Sequence, residues 1–353
     1  MTTTRRNFFT NSLRGAVGLS IGSLGISLKT TAAEKNTAQN IKKIPTVAGT
    51  IDSDKMGITL MHEHLLHHVA IPTEKEKQSL DFTLQLLKDA ERVGVNTIVD
   101  LSPTRNVRLY QQLAKEVSVN IILSTGAYLQ RRMPESLIKL SEAEFKAKMK
   151  REISEGIDGT GIRAGIIKVA AQNTPLTTWE MEKFRAAGQV QKELDVPVAT
   201  HATHNPGNHL DILMQNGANP RRLYFCHSEA KFGWAGKSRE LMAQEMERIA
   251  KLGGSLLFNN FEYGFDTPWE DFVYLIRYLC DHGCKEQVLT SMDCGWDWHE
   301  DKIVVNAELT HPEVRKKTFA YAITDAIPDL LKAGFSAKEI ERFFVKNPAR
   351  IFS

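Results

Sequence analysis

The sequence predicts an α/β chain folded as a (β/α)8 barrel with C-terminal helices packed on it. Two observations carry this. Eight short, apolar, β-branched runs alternate with longer stretches of helical periodicity, the pattern of βαβ units on a parallel sheet. No G-x-G-x-x-G motif follows any run, which weakens an open dinucleotide-binding sheet. Eight units in about 300 residues suit a closed barrel.

In order, the runs are Gly57–Met61, Thr97–Leu101, Asn120–Thr125, Gly165–Val169, Val196–Thr200, Arg222–Cys226, Gly254–Phe258 and Gln287–Ser291. The helical stretches are Phe82–Val93, Val107–Val117, Glu142–Ile157, Trp179–Leu194, Arg239–Leu252 and Trp269–His282. Pro312–Ser353 reads as helices on the barrel, with Asn347-Pro348 ending the last but one. Residues 46–353 form the barrel, and 34–45 read as a polar linker into it.

Residues 1–33 read as an export signal rather than as part of the fold. Arg5-Arg6 precede Asn7-Phe8-Phe9, and a 14-residue apolar stretch, Gly15 to Leu28, ends in small residues. Crossing a bilayer takes about 20 residues, so no stable membrane anchor is expected. The paired arginines resemble a twin-arginine signal, implying a periplasmic protein cleaved near Ala33/Glu34.

Composition excludes several classes. With 42% hydrophobic and 25% charged residues, this is an ordinary globular chain of 353 residues. The net charge of +3 is too weak for a nucleic-acid binder. Arg5, Arg6, Arg14 and Lys29 account for it, and without residues 1–33 the charge is −1. Four cysteines, Cys226, Cys280, Cys284 and Cys294, lack paired C-x-x-C spacing and read as buried small hydrophobes, with Cys226 and Cys294 packed near the site. Cys280 and Cys284, i and i+4 on one helix, suit a disulfide poorly.

Ligand-capable residues follow the runs at one end. His62-Glu63-His64 follows the first, Lys168 lies in the fourth, His201 ends the fifth, His227 the sixth, and Asp293 follows the eighth. In a barrel these strand ends converge on the catalytic face. Side chains at i and i+2 share a face, so His62 and His64 point inward and Glu63 outward. A lone histidine there would read as a core residue, but six such residues at one end indicate a metal site for a borderline ion such as Zn²⁺. Two readings of Lys168 stay open: an ordinary Lys–Asp ion pair inside the barrel, or a neutral amine carbamylated by CO₂.

These segments resemble the phosphotriesterase family of the amidohydrolase superfamily. The matching stretches are Gly57–His64, Ala164–Val169, Val198–His201, Cys226-His227, Ser291–Asp293 and Asn347–Arg350. The resemblance implies two divalent metal ions, zinc first, with manganese, cobalt or iron as alternatives. His62, His64 and Asp293 would hold the buried ion, and His201 and His227 the more exposed one. Carbamylated Lys168 and a hydroxide would bridge them. The hydroxide would attack a lactone, carboxylic ester or organophosphate triester, with Asp293 as the catalytic proton acceptor. A homodimer is also implied.

Tyr128 resembles the pocket tyrosine of phosphotriesterase-like lactonases, and Trp296 is expected to line the substrate pocket. Phe258–Tyr263 departs from the family, carrying neither the lactonases' arginine nor the phosphotriesterases' histidine relay. His67 and His68 are read as lying in the loop beyond the metals, His204 and His209 in the loop after the fifth run, and Arg315-Lys316-Lys317 as solvated or structural charge. Alternative functions are a cyclic-amide hydrolase of the dihydroorotase type, a hydrolase of phosphorylated sugars or sugar lactones, and a metal-free binding barrel.

Overall fold

The computed structural model describes residues 41–66, 71–203, 205–234, 236–259, 261, 267–305 and 318–353, without the side chains of 232 and 233. The leader 1–33, His67, His68, His204 and the basic run at 315–317 lie outside the described residues.

Eight strands form one parallel sheet in sequential order. They are β3 (Thr59–Glu63), β4 (Thr97–Asp100), β5 (Asn120–Gly126), β6 (Ile166–Ala170), β7 (Val198–His201), β8 (Leu223–Cys226), β9 (Ser255–Phe258) and β10 (Val288–Thr290). A hairpin of β1 (Lys43–Thr46) and β2 (Gly49–Asp52) precedes them, and β1 overlaps the stretch read as linker. A second hairpin, β11 (Trp296–His299) with β12 (Lys302–Val305), follows β10.

Burial follows the two-residue period of strands. Met61, Val99, Ile122, Ile166, Ala199, Tyr224, Leu257 and Leu289 form one buried cluster that fills the barrel. Their neighbours Leu60, Ile98, Ile121, Ile167, Val198, Phe225, Leu256 and Val288 belong to a second cluster, shared with the helices. Lys168 and Cys226 lie two residues beyond Ile166 and Tyr224, which sets both on the inner face.

Helices fill the connections between strands. They are α1 (Glu76–Arg92), α2 (Val107–Leu113), α3 (Glu135–Ile138), α4 (Glu142–Ser154), α5 (Thr178–Leu194), α6 (Pro206–Gln215), α7 (Arg239–Lys251) and α8 (Trp269–Asp281). Ser141 with Glu144 and Thr177 with Glu180 form capping boxes that start α4 and α5. α6 fills a crossover where periodicity marks no helix; Asn205 caps it and Pro206 opens it. Asn347-Pro348 starts the final helix instead of ending one, because proline is tolerated in a first turn. Asn347 Nδ2 donates to Lys285 O at 2.9 Å and Val288 O at 2.6 Å, pinning the tail to β10.

The barrel closes between β10 and β3 through mixed bonds. Asp293 N–H donates to His62 O at 3.0 Å and His64 N–H to Cys294 O at 2.8 Å. His62 N–H donates to Ser291 Oγ at 2.9 Å. The seam thus carries three of the predicted ligands. Where β5 passes Lys168, only glycine fits: a Cβ on Gly126 would lie 2.0 Å from Lys168 O, and its φ is +112°.

Candidate metal centre

β3 with the residue after it, and the segment beyond β10, bring His62, His64 and Asp293 together. The Nε2 atoms of both histidines lie 3.4 Å from Asp293 Oδ1. A tetrahedral zinc ion with ligands at about 2.0–2.1 Å holds neighbouring ligand atoms about 3.3 Å apart. The spacing therefore suits one ion, and the ligand atoms of all three residues lie within 4.8 Å of one another.

A second pair stands beside the first. His227 Nε2 faces His201 Nδ1 at 2.9 Å. The His62 and His227 ring centroids are 5.0 Å apart. Asp293 joins the two groups, since its Oδ2 lies 3.8 Å from His227 Nδ1. His227 and Asp293 both adopt left-handed backbone, with φ of 60° and 51°. Non-glycine residues pay for that conformation, and such positions cluster at functional sites.

Electrostatics favour neutral, lone-pair-bearing donors. Burial, then the charge of Lys168, holds His62 well below the usual histidine range. Burial, then His227 and Lys168, does the same for His201. Neutral imidazoles are the form that ligates metals.

Lys168 is fully buried on β6. Burial lowers its pKa, with Cys226 and Asp293 opposing. Its Nζ contacts Cys226 Sγ at 3.9 Å. Among the described residues no carboxylate oxygen lies within 4.0 Å of Nζ, so the ion-pair reading with Asp293 is not what the geometry presents. The Cys226 thiol is pushed up to about 12 by burial, which leaves it a weak candidate for a thiolate ligand.

Four supporting residues escaped the sequence reading. His64 Nδ1 pairs with Ser102 Oγ at 2.9 Å, and Ser102 N–H donates to Asp100 Oδ1 at 2.7 Å. Asn259 brackets His227: its Oδ1 accepts the His227 N–H at 3.0 Å and its Nδ2 lies 3.1 Å from Nδ1. Such partners fix ring orientation in metal sites. Strand-end position was the available signal for Ser102 and Asn259.

Glu63 is the fourth, and it does not point outward. The β3–β4 register shifts between Leu60 and Glu63, which interrupts the alternation that would have exposed it. Its Oε1 accepts from Ser291 Oγ at 2.7 Å and Met292 N–H at 2.8 Å, and its Oε2 from Cys294 N–H at 2.7 Å. It thereby grips the peptide on both sides of Asp293. Burial pushes its carboxyl up to about 8, while these three hydrogen bonds pull the other way. Glu63→Ala would strip three buried donors of their acceptor. A loss of at least about 3 kcal/mol in unfolding free energy is expected in chemical denaturation; a change under about 0.5 kcal/mol would mean the clasp is dispensable.

Of the two predicted substrate residues, only Tyr128 faces the site. Its ring meets His201 edge-on, with centroids 5.1 Å apart. Trp296 is 2% exposed and its Nε1–H donates to Leu65 O at 2.8 Å and Thr83 Oγ at 3.0 Å. It is a wall residue, because the β11–β12 hairpin turns it onto α1 instead of into a pocket.

Comparison with known proteins agrees with the fold. The model of the phosphotriesterase family matches residues 42–352. An aryldialkylphosphatase of Saccharolobus solfataricus is 26% identical, over 88% of this chain and 100% of that protein. An N-acetyltaurine hydrolase of Danio rerio is 24% identical, over 87% and 97%. A mutant of a Deinococcus radiodurans phosphotriesterase-like lactonase superposes with a TM-score of 0.76 at 27% identity, covering 88% of this chain and 100% of that one.

Proposed function

The chain belongs to the phosphotriesterase family, and from that premise we propose that this ester hydrolase works through a binuclear metal centre on a lactone, carboxylic ester or phosphotriester. The observation that carries the proposal is the pair of facing donor sets, His62–His64–Asp293 and His201–His227, with buried Lys168 beside them.

His62, His64 and Asp293 would hold one ion and His201 with His227 the other, with Lys168, as its carbamate, shared between them. Bound there, two divalent ions would supply a water ionised near neutral pH and a Lewis acid for the substrate oxygen. Zinc is the first choice for this donor set. Asp293 retains partial exposure, 24% for its side chain, unlike the histidines around it. It can orient a water at the site, accept its proton and pass it to the departing alcohol. Ser102 and Asn259 hold His64 and His227 in place as that proton moves. The Tyr128 phenol, kept neutral because burial, then Asp293, raises its pKa, is placed to contact the substrate beside His201.

The lactonase relative favours a lactone or ester, and the aryldialkylphosphatase a phosphotriester. Lactones, aryl esters, phosphotriesters and N-acyl amides should be assayed on zinc- or manganese-loaded protein. Turnover of a lactone or ester, abolished by chelation and restored by metal, is expected. Turnover that survives complete metal removal would overturn the proposal. The residue 1–33 pattern supports export as a further part of this reading.

A further inference from the structure

A cavity of about 800 Å³ lies among the segments that follow β3, β4 and β5 and against α2 and α4. Its size is in the range of small-molecule sites, roughly 300–1,000 Å³. Leu66, Leu109, Met133, Leu137 and Leu140 give it an apolar lining. Arg105, Arg131, Arg132 and Lys148 line it too, against the acids Glu152 and Asp158.

The charges are unevenly committed. Glu152 is shared among Lys148 at 2.6 Å, Arg105 at 3.3 Å and the Thr125 hydroxyl at 2.5 Å. Arg105 is buried, and its Nη1 also donates to Pro103 O at 2.6 Å. Arg131 and Arg132 are exposed and make no ion pair among the described residues. Two guanidiniums without anions, at an apolar cavity with an excess of positive charge, complement an anion that carries an apolar body. Guanidiniums recognise carboxylates and sulfonates through paired N–H donors.

Segments that line the cavity continue directly from those that carry the metal centre. Leu66 lies two residues beyond His64, and Pro103 follows Ser102, the partner of His64. Met133 Sδ accepts the Tyr128 N–H at 3.2 Å. We propose that this cavity binds an amphipathic carboxylate or sulfonate, its chain on Leu109, Met133 and Leu137 and its head between Arg131 and Arg132. The proposal goes beyond the hydrolase reading and does not depend on it.

Calorimetric titration of the purified full chain with octanesulfonate, a poor metal ligand, tests this, with octanoate and octanol alongside. Both anions should bind saturably, and octanol at least about tenfold more weakly. R131A/R132A should weaken anion binding by at least about tenfold, while Lys139→Ala, the loss of a charge that does not line the cavity, should leave it unchanged. Equal binding of octanol, unaltered affinity in R131A/R132A, an equal loss in Lys139→Ala, or no binding at millimolar ligand would overturn the proposal. Turnover and metal content measured on the same preparation separate this outcome from failure of the hydrolase reading.

Discussion

Asp293→Asn is expected to lower kcat by about a thousandfold, within the range that removal of a general acid–base group produces. The carboxylate does two things an amide cannot. Its Oδ1 stands 3.4 Å from both His62 and His64 Nε2, where an anionic ligand completes the set, and its Oδ2 faces His227. The backbone of residue 293 is held by His62 O and by Glu63 on either side, so the fold should survive the exchange. Circular dichroism and thermal melting of the variant would check that. A variant with unimpaired turnover would remove Asp293 from the mechanism.

Lys168→Ala should cost more than about a hundredfold in activity, since losing even a supporting partner of a metal ligand costs 10–100-fold. The physical case rests on burial without a direct ion pair: Nζ lies inside the barrel with Cys226 Sγ at 3.9 Å. A permanently charged ammonium is costly there. A neutral amine that adds CO₂ and releases a proton becomes an anionic oxygen ligand instead. The alanine variant should therefore lose metal, and a short carboxylic acid such as propionate should restore part of both metal and rate by entering the vacated space. Retention of full metal content without any response to carboxylic acids would refute the carbamate.

The barrel and the gathering of His62, His64, Lys168, His201, His227 and Asp293 at one end of it were legible because both follow from local pattern. Alternating apolar runs mark the strands, and a strand end aims its residues at one face. What was not legible depends on pairing across the chain. Glu63 reads as outward-facing by strand period, yet the register shift on β3 and the seam with residues 291–294 bury it. Asp100, Ser102 and Asn259 look like ordinary polar residues until β4 and β9 set them beside His64 and His227. Trp296 follows a ligand closely enough to suggest a pocket wall, but β11–β12 pairing directs its indole to Leu65 and Thr83. The cavity with Arg131 and Arg132 is assembled from three separate segments, and no single one of them signals it.

The most direct test of the account is the metal content of the purified chain after reconstitution with zinc or manganese, measured by inductively coupled plasma mass spectrometry. Two facing donor sets predict close to two ions per chain, released together with activity by a chelator. A chain that takes up fewer than about one ion, at concentrations where such donor sets saturate, would contradict it.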